Sequence, residues 1–131
     1  MKTCVLIVDD DERYVELLEF NLVEHGYHVV TTTHPAEAVE IASRERPQVA
    51  ILDVMMPEMD GFTLARALLR LPEVHRMPII FLTAKGQGGD RLEGFEAGAV
   101  DYLTKPFLPT DLIARIEKVL RCYRKSEVSS E

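Results

Sequence analysis

Five short apolar runs alternate along the chain with segments of helical periodicity, and this alternation constrains the fold more than any other feature. The runs are Cys4–Val8, His28–Thr33, Val49–Leu52, Ile79–Leu82 and Val100–Leu103. All but the second and fifth are almost continuously apolar, which is typical of strands buried on both faces of a sheet. Alternating strands and helices favour right-handed crossovers and a parallel sheet. The sequence therefore predicts one doubly wound α/β domain, with five parallel strands and five helices.

The five helical segments differ in the strength of their signals. We place them at Arg13–His25, Pro35–Arg46, Gly61–Leu71, Asp90–Ala97 and from about Thr110 onwards. Gly26 follows the first segment, and we expect it to end that helix in a left-handed conformation. The fourth segment is short and weakly apolar, and the glycine-rich stretch before it indicates a mobile loop.

Composition and charge exclude several other classes of protein. Hydrophobic residues make up 47% and charged residues 28% of the 131 residues, unlike a disordered or fibrous chain. The longest aliphatic run, Cys4–Val8, is too short to cross a bilayer, and no signal-peptide pattern precedes it. The net charge of −7 argues against direct binding of nucleic acid or an anionic membrane. Cys4 and Cys122 lack metal-ligand spacing, so we expect reduced thiols and a cytoplasmic location.

Polar side chains stand where four of the predicted strands end. In a doubly wound parallel sheet, ligands bind at the carboxyl ends of the strands. The first strand ends in the acidic run Asp9–Glu12, the third in Asp53, the fourth in Thr83 and the fifth in Thr104-Lys105-Pro106. The last two residues of the acidic run are equally consistent with a helix N-terminus. We therefore expect carboxylates, a hydroxyl and an ammonium group to meet at one edge of the sheet.

These groups match the requirements of phosphoryl transfer. Asp9, Asp10 and Asp53 would repel one another in one pocket unless a hard cation joined them, and Mg²⁺, or Mn²⁺ in its place, is the natural candidate. Lys105 supplies a point charge and Thr83 a hydroxyl donor for phosphoryl oxygens. A carboxylate can itself be the nucleophile, and Asp53 fits that role best because it stands alone after an apolar strand.

Four motifs resemble the receiver domain of bacterial two-component response regulators. They are Val8-Asp9-Asp10-Asp11, Asp53-Val54-Met55-Met56-Pro57 followed by Asp60-Gly61, Thr83-Ala84, and Tyr102-Leu103-Thr104-Lys105-Pro106-Phe107. The similarity extends from about Thr3 to Arg124 and implies the flavodoxin-like, CheY-like arrangement of strands and helices. It implies a receiver domain over residues 1–125, with a disordered tail or the start of a linker over residues 126–131.

The resemblance implies a phosphorylation-dependent signalling switch. Asp53 would accept a phosphoryl group from the phosphohistidine of a sensor histidine kinase or a phosphotransfer protein. Asp10 and Asp53 would ligate Mg²⁺ directly, together with the backbone carbonyl of Met55, while Asp9 would act mostly through a coordinated water. The domain would be a phosphoacceptor with at most slow autodephosphorylation, and not an enzyme.

The resemblance also implies a coupled motion. Lys105 would pair with the phosphoryl group, and the Lys105–Pro106 peptide would be cis. Thr83 would move toward the phosphoryl group, and Tyr102 would swing inward into the space that it leaves. This motion would remodel the face built from the fourth helix, the fifth strand and the fifth helix.

Four charged residues resemble positions that pair across the dimer of regulators with winged-helix output domains. They are Arg91, Asp101, Asp111 and Arg115. Ala97 and Val100 stand where that group usually has acidic residues, so part of its salt-bridge network is absent. We expect a phosphorylation-dependent homodimer through this face, with isolated surface charges as an equally weighted alternative.

Other functions fit the sequence less well. An FMN-binding electron carrier would need a Ser-, Thr- or Gly-rich phosphate loop where this chain has four acidic residues. A hydrolase acting through an aspartyl phosphate would need an acidic residue where Met55 stands. A phosphate-independent interaction module would lack site residues that are all present. Within the receiver class, the chain could stand alone or come from a larger DNA-binding regulator, cyclase or hybrid kinase.

Overall fold

A five-stranded parallel sheet organises the protein. The computed structural model describes residues 2–84 and 99–129, with backbone alone at 99–100 and 124–129. The strands are β1 (Cys4–Val8), β2 (His28–Thr32), β3 (Val49–Asp53), β4 (Ile79–Ala84) and β5 (Ala99–Lys105). Their order is β2-β1-β3-β4-β5, and every neighbouring pair is parallel. The predicted doubly wound α/β fold is confirmed.

Helices connect the first four strands as the alternation predicts. They are α1 (Glu12–Glu24), α2 (Pro35–Glu45), α3 (Gly61–Leu69) and α4 (Pro109–Ser129), with a short 3₁₀ helix at Pro72–Val74. The predicted helix Asp90–Ala97 lies outside the described residues, so α4 is the fifth helix of the sequence prediction. It continues to Ser129, into the segment where we expected a tail, because no glycine or proline interrupts it.

The strands and α3 end at slightly different residues from those predicted, and the differences affect the site. Asp53, Thr83 and Lys105 lie within β3, β4 and β5, because backbone pairing with the neighbouring strand continues to each of them. Helix α3 ends two residues earlier than predicted. Pro72 restricts the residue before it to extended backbone, and Leu71 has ψ 127°.

Two apolar layers cover the two faces of the sheet. Along β3, Val49 and Ile51 belong to the layer that contains α1 and α4, whereas Ala50 and Leu52 belong to the layer that contains α2 and α3. All five residues of β3 are buried, and the four before Asp53 are apolar on both faces of the sheet. Strand β2 lies at the edge of the sheet and is only partly buried, which explains its more polar sequence.

Two helices end at residues with positive φ. Gly26 has φ 99° and follows α1, as predicted. Arg46 ends α2 with φ 50°, although it is not a glycine. Residues other than glycine adopt this conformation at a cost of about 1 kcal/mol, so no residue type in the sequence marked this position.

Candidate functional site

The site lies at the carboxyl edge of the sheet, between β1 and β3, where the order in which strands are added to the sheet reverses. These two strands are neighbours, and helices leave them toward opposite faces, so a crevice forms at their ends. Asp9 and Asp10 follow β1, and Asp53 ends β3. The sequence places these residues more than forty positions apart, and the strand order brings them together.

Three carboxylates form a cluster suited to a metal ion. Oxygen atoms of Asp9, Asp10 and Asp53 all lie within 4.8 Å of one another. Asp9 is fully buried and Asp53 nearly so, whereas Asp10 is exposed. Carboxylate oxygens with access to water on one side are the ligands that Mg²⁺ prefers. The donor set therefore fits a hard divalent cation.

Asp9 is anchored at both of its carboxylate oxygens. Its Oδ1 accepts a hydrogen bond from the backbone N–H of Asp11 at 3.0 Å, and its Oδ2 accepts one from Nζ of Lys105 at 2.7 Å. Asp11 in turn caps α1, because its Oδ1 accepts from the backbone N–H groups of Arg13 and Tyr14. Of the alternatives for Asp11, the helix N-terminus is therefore the one seen.

Asp53 has an unusual electrostatic environment. Burial raises the pKa of its carboxyl group to about 7, and the negative charge of Asp9 acts in the same direction. The ammonium group of Lys105, 3.6 Å from Oδ1 of Asp53, opposes this effect and lowers the pKa. Without a metal ion, Asp53 is therefore partly protonated at neutral pH, even with the lysine beside it.

The start of α3 packs against the backbone of Asp53. Gly61 donates its backbone N–H to the carbonyl of Val54 at 2.9 Å. A Cβ atom on Gly61 would lie 2.3 Å from the carbonyl oxygen of Asp53, so only glycine fits there. Asp60 caps the helix by accepting from the backbone N–H of Thr63 at 2.8 Å. The Asp60-Gly61 pair therefore fixes the position of the backbone at Asp53 and Val54.

Tyr14 also contributes to the site, although no sequence motif pointed to it. The ring of Tyr14, in the first turn of α1, has its centroid 4.6 Å from Nζ of Lys105 and 5.5 Å from the ring of Phe107. Burial, followed by the charges of nearby aspartates, raises the pKa of Tyr14 to about 12. The sequence signal that could have identified Tyr14 is its place in the first turn of the helix that follows Asp9. A side chain in that turn lies close to the end of the strand.

Thr83 and Tyr102 lie on the adjacent strands β4 and β5. Thr83 is buried in β4 and pairs in register with Thr104 of β5. Tyr102 is 7% exposed, and its ring centroid lies 5.7 Å from that of Phe81. The Tyr102 ring is therefore packed inward in this structure. The peptide bond between Lys105 and Pro106 is cis, as expected.

Comparison with known proteins identifies the family. The family model for the response regulator receiver domain matches residues 5–117. The chain belongs to the receiver domain family. Receiver domains act as switches in two-component signalling, and their acidic pocket binds Mg²⁺.

Two curated relatives are longer proteins that contain such a receiver domain. The chain is 40% identical over 131 residues to the alkaline phosphatase synthesis transcriptional regulatory protein PhoP of Bacillus subtilis, covering 100% of this chain and 54% of PhoP. It is 42% identical over 121 residues to the response regulator PleD of Caulobacter vibrioides, covering 92% of this chain and 27% of PleD. The chain thus spans about half, or less, of the length of these relatives.

Solved structures show the same receiver fold. The chemotaxis protein CheY4 of Vibrio cholerae superimposes with a TM-score of 0.87 at 33% identity, covering 91% of this chain and 99% of that one. The signal receiver domain of a signal transduction histidine kinase from Syntrophus aciditrophicus gives a TM-score of 0.80 at 36% identity, covering 91% and 90%. In the described parts of this receiver domain, no helix is long and apolar enough to span a membrane.

Three of the four charged residues expected at a dimer face lie in the described part of the receiver domain. Arg115 donates from Nη1 to Oδ1 of Asp101 at 2.7 Å and to the carbonyl of Tyr102 at 3.3 Å. Asp111 is exposed, and its Oδ2 accepts from the backbone N–H of Leu108 at 3.3 Å. Arg91 lies outside the described residues. Arg115 and Asp101 therefore pair within one chain.

Proposed function

We propose that this receiver domain is switched by transfer of a phosphoryl group to Asp53 from the phosphohistidine of a sensor histidine kinase or a phosphotransfer protein. The observation that carries the proposal is the position of Asp53, buried among carboxylates and 3.6 Å from the ammonium group of Lys105. A phosphoacceptor needs a nucleophilic oxygen beside fixed positive charge, and these residues supply both.

The acidic cluster would hold the Mg²⁺ that the transfer requires, and Mn²⁺ could replace it. Asp10 and Asp53 would ligate the ion directly, together with the backbone carbonyl of Met55. Asp9 would act mostly through a coordinated water, since both of its oxygens already accept hydrogen bonds. When bound, the ion would neutralise charge on the phosphoryl oxygens.

Side chains of this domain would perform the phosphoryl transfer. A carboxylate oxygen of Asp53 forms a bond to phosphorus, and the phosphorus–nitrogen bond of the donor breaks, leaving the electron pair on the imidazole nitrogen. Nζ of Lys105 exchanges its contact with Asp9 for one with a phosphoryl oxygen. The hydroxyl of Thr83 donates a hydrogen bond to another. The positive charge of Lys105 also favours the ionised, nucleophilic form of Asp53.

Hydrolysis of the phosphorylated state would be slow. Met55, two residues after Asp53, is 61% exposed, and its side chain carries no acid or base. A water molecule attacking the phosphoryl group would find no proton acceptor there. We therefore infer a phosphoacceptor and not an enzyme, acting in the cytoplasm, with Cys4 and Cys122 as free thiols.

The output surface would be the face formed by β5, α4 and the helix predicted at Asp90–Ala97. Thr83 would move toward the phosphoryl group, with Tyr102 held inward. We propose a phosphorylation-dependent homodimer through this face, which already carries Asp101, Asp111 and Arg115. Sedimentation equilibrium with and without beryllofluoride as a phosphoryl analogue tests this, and an unchanged monomer would contradict it.

A second proposal concerns the protein in which this receiver domain acts. The similarity to PhoP, a transcriptional regulatory protein, over all of this chain and 54% of PhoP supports a receiver that controls a DNA-binding output domain. Residues 126–131 would then begin the linker, and the backbone of α4 is helical as far as Ser129. Output domains of other classes, such as that of a hybrid kinase, remain the alternative.

Intact-protein mass spectrometry tests the phosphoacceptor directly. Wild type, Asp53→Asn and the neighbouring control Asp11→Asn are incubated with Mg²⁺ and acetyl phosphate. We expect the added mass of one phosphoryl group in wild type and in Asp11→Asn, none in Asp53→Asn, and none in EDTA. An adduct of equal yield on Asp53→Asn would show that another residue is the acceptor.

A further inference from the structure

We propose that Tyr14 is a positioning residue, whose aromatic ring holds the ammonium group of Lys105 at the acidic cluster and thereby sets the rate of phosphoryl transfer to Asp53. The inference rests on the proposed role of Asp53 and extends it. It assigns a part in the reaction to a side chain of the first turn of α1 that touches neither the phosphoryl acceptor nor a metal ligand in the described contacts.

The surroundings of the lysine head group show what the ring contributes. Nζ of Lys105 donates to Oδ2 of Asp9 at 2.7 Å and lies 3.6 Å from Oδ1 of Asp53. The centroid of the Tyr14 ring is 4.6 Å from the same nitrogen. An ammonium group within about 6 Å of a ring centroid is attracted by the negative potential of the ring face. The cation is thus held by two carboxylates and one aromatic ring.

The ring is itself fixed from two directions. Phe107, two residues beyond the lysine, meets it edge-on, with centroids 5.5 Å apart and planes at 90°. The backbone of Tyr14 is held by the cap of α1, where Asp11 accepts from its N–H at 3.4 Å. Perpendicular aromatic pairs are favourable, and both anchors belong to segments that form the site. The ring therefore keeps its position while the lysine exchanges partners.

The exchange of partners explains why an aromatic ring suits this position. During transfer, Nζ of Lys105 must leave Asp9 for a phosphoryl oxygen. A carboxylate side chain in place of Tyr14 would compete with that oxygen for the ammonium group. An aliphatic side chain would leave the flexible lysine without support on that side. The ring attracts the cation without offering a strong acceptor, so it limits the conformations of the lysine and leaves its donors available.

Three variants separate the ring from the hydroxyl and from simple packing. Tyr14→Phe keeps the ring, Tyr14→Leu removes it at similar volume, and Phe20→Leu makes the matched change at an exposed position of the same helix. Where Tyr14→Leu fails to fold, Tyr14→Met replaces it. The phosphorylation rate is measured with acetyl phosphate at saturating Mg²⁺, and the affinity for Mg²⁺ is measured separately.

We expect a specific pattern of rates. Tyr14→Leu should be phosphorylated about three- to tenfold more slowly, which is the factor that a cation–π contact of ordinary strength represents. Tyr14→Phe should stay within about twofold of wild type and Phe20→Leu should not differ from it. The affinity for Mg²⁺ should stay within about twofold in all three, because the carboxylates are unchanged.

A spectroscopic signature tests the contact independently of phosphorylation. The chain contains five lysines, so the ε-methylene signals of ¹³C-labelled lysine can be resolved and that of Lys105 assigned through Lys105→Arg. A proton above a ring face is shielded. We expect an upfield Lys105 signal in wild type and Tyr14→Phe, and its return to the ordinary lysine position in Tyr14→Leu.

The outcomes distinguish this inference from the function on which it rests. Equal phosphorylation rates in wild type and Tyr14→Leu would overturn the role of Tyr14 and leave Asp53 as the acceptor. A Tyr14→Phe protein as slow as Tyr14→Leu would also overturn it, because the hydroxyl and not the ring would then be responsible. Absence of a phosphoryl adduct on wild type would overturn the proposed function, and this inference with it.

Discussion

Nζ of Lys105 lies 2.7 Å from Oδ2 of Asp9, although the two residues are 96 positions apart in the sequence. Strands β3 and β4 lie between the strands that carry them, so the lysine reaches across the ends of the sheet. Asp9 has no solvent exposure, and its charge must be compensated inside the protein. The pair therefore links the first and last strands at the point where the site forms.

Removal of the lysine charge should destabilise the domain when metal is absent. We expect Lys105→Met to lower the free energy of unfolding in EDTA by about 2–4 kcal/mol, because Asp9 would be left buried without a cation. Part of the loss should return with Mg²⁺. Urea unfolding measures this, with the exposed Lys2→Met as the control that should change stability by less than about 0.5 kcal/mol. Equal effects of the two substitutions would contradict the prediction.

The raised pKa of Asp53 predicts how stability depends on pH. The folded protein holds a proton on Asp53 up to about pH 7, whereas the unfolded chain releases it near the ordinary value of 3.8. In metal-free buffer, this group therefore lowers stability as pH rises from about 4 to about 7, and has no further effect above that.

The Asp53→Asn variant tests this effect, because it removes the buried carboxyl group and keeps a side chain of nearly the same size. We expect the variant to be more stable than wild type by about 1–3 kcal/mol at about pH 8, with the difference shrinking toward about pH 4.5. Urea unfolding in EDTA at both pH values measures it. A difference independent of pH would show that the carboxyl group is not held protonated in the folded state.

Binding of Mg²⁺ should stabilise the domain in proportion to its occupancy. At an ion concentration a hundredfold above the dissociation constant, we expect about 2.7 kcal/mol of added stability over EDTA. Asp10→Asn should lose most of this gain. Asp11→Asn should keep it, since asparagine also caps a helix and the residue lies outside the cluster. Thermal unfolding across a magnesium titration measures the effect, and equal gains in both variants would argue against Asp10 as a ligand.

Close packing at Gly61 should connect stability with phosphorylation. A Cβ atom there would lie 2.3 Å from the backbone oxygen of Asp53, so we expect Gly61→Ala to cost about 2–4 kcal/mol and to slow phosphorylation. Gly26→Ala is the matched control. Its φ of 99° strains any side chain but no atom lies within 4 Å, so it should cost about 1–2 kcal/mol and leave the phosphorylation rate unchanged. Normal phosphorylation of folded Gly61→Ala would disprove the link.

The sequence was informative about the fold because the strands are buried on both faces. The apolar runs of β1, β3 and β4 could be recognised without knowledge of their neighbours, and β2 and β5 followed from the alternation. Helix-end signals were reliable where the residue type itself favours a positive φ, as at Gly26. They failed at Arg46, which adopts a positive φ without being a glycine.

The membership of the site was predicted more completely than its electrostatics. Asp9 and Asp10 are adjacent and chemically identical, yet one is fully buried and tied to Lys105 while the other is exposed. Nothing local to the sequence separates them. The difference arises because successive residues at a strand end point in different directions, and β5 supplies the lysine to one of them.

The sequence by itself therefore determined the succession of strands and helices along the chain, the polar residues at the strand ends and the kind of chemistry that these residues can support. Only the tertiary structure decided which carboxylate is buried, that Tyr14 faces the Lys105 ammonium, and that Arg115 pairs with Asp101 in the same chain. The physical reason is that periodicity and strand ends are local properties of the chain. Burial, charge pairing and ring contacts instead depend on distances between segments that only the packed sheet brings together.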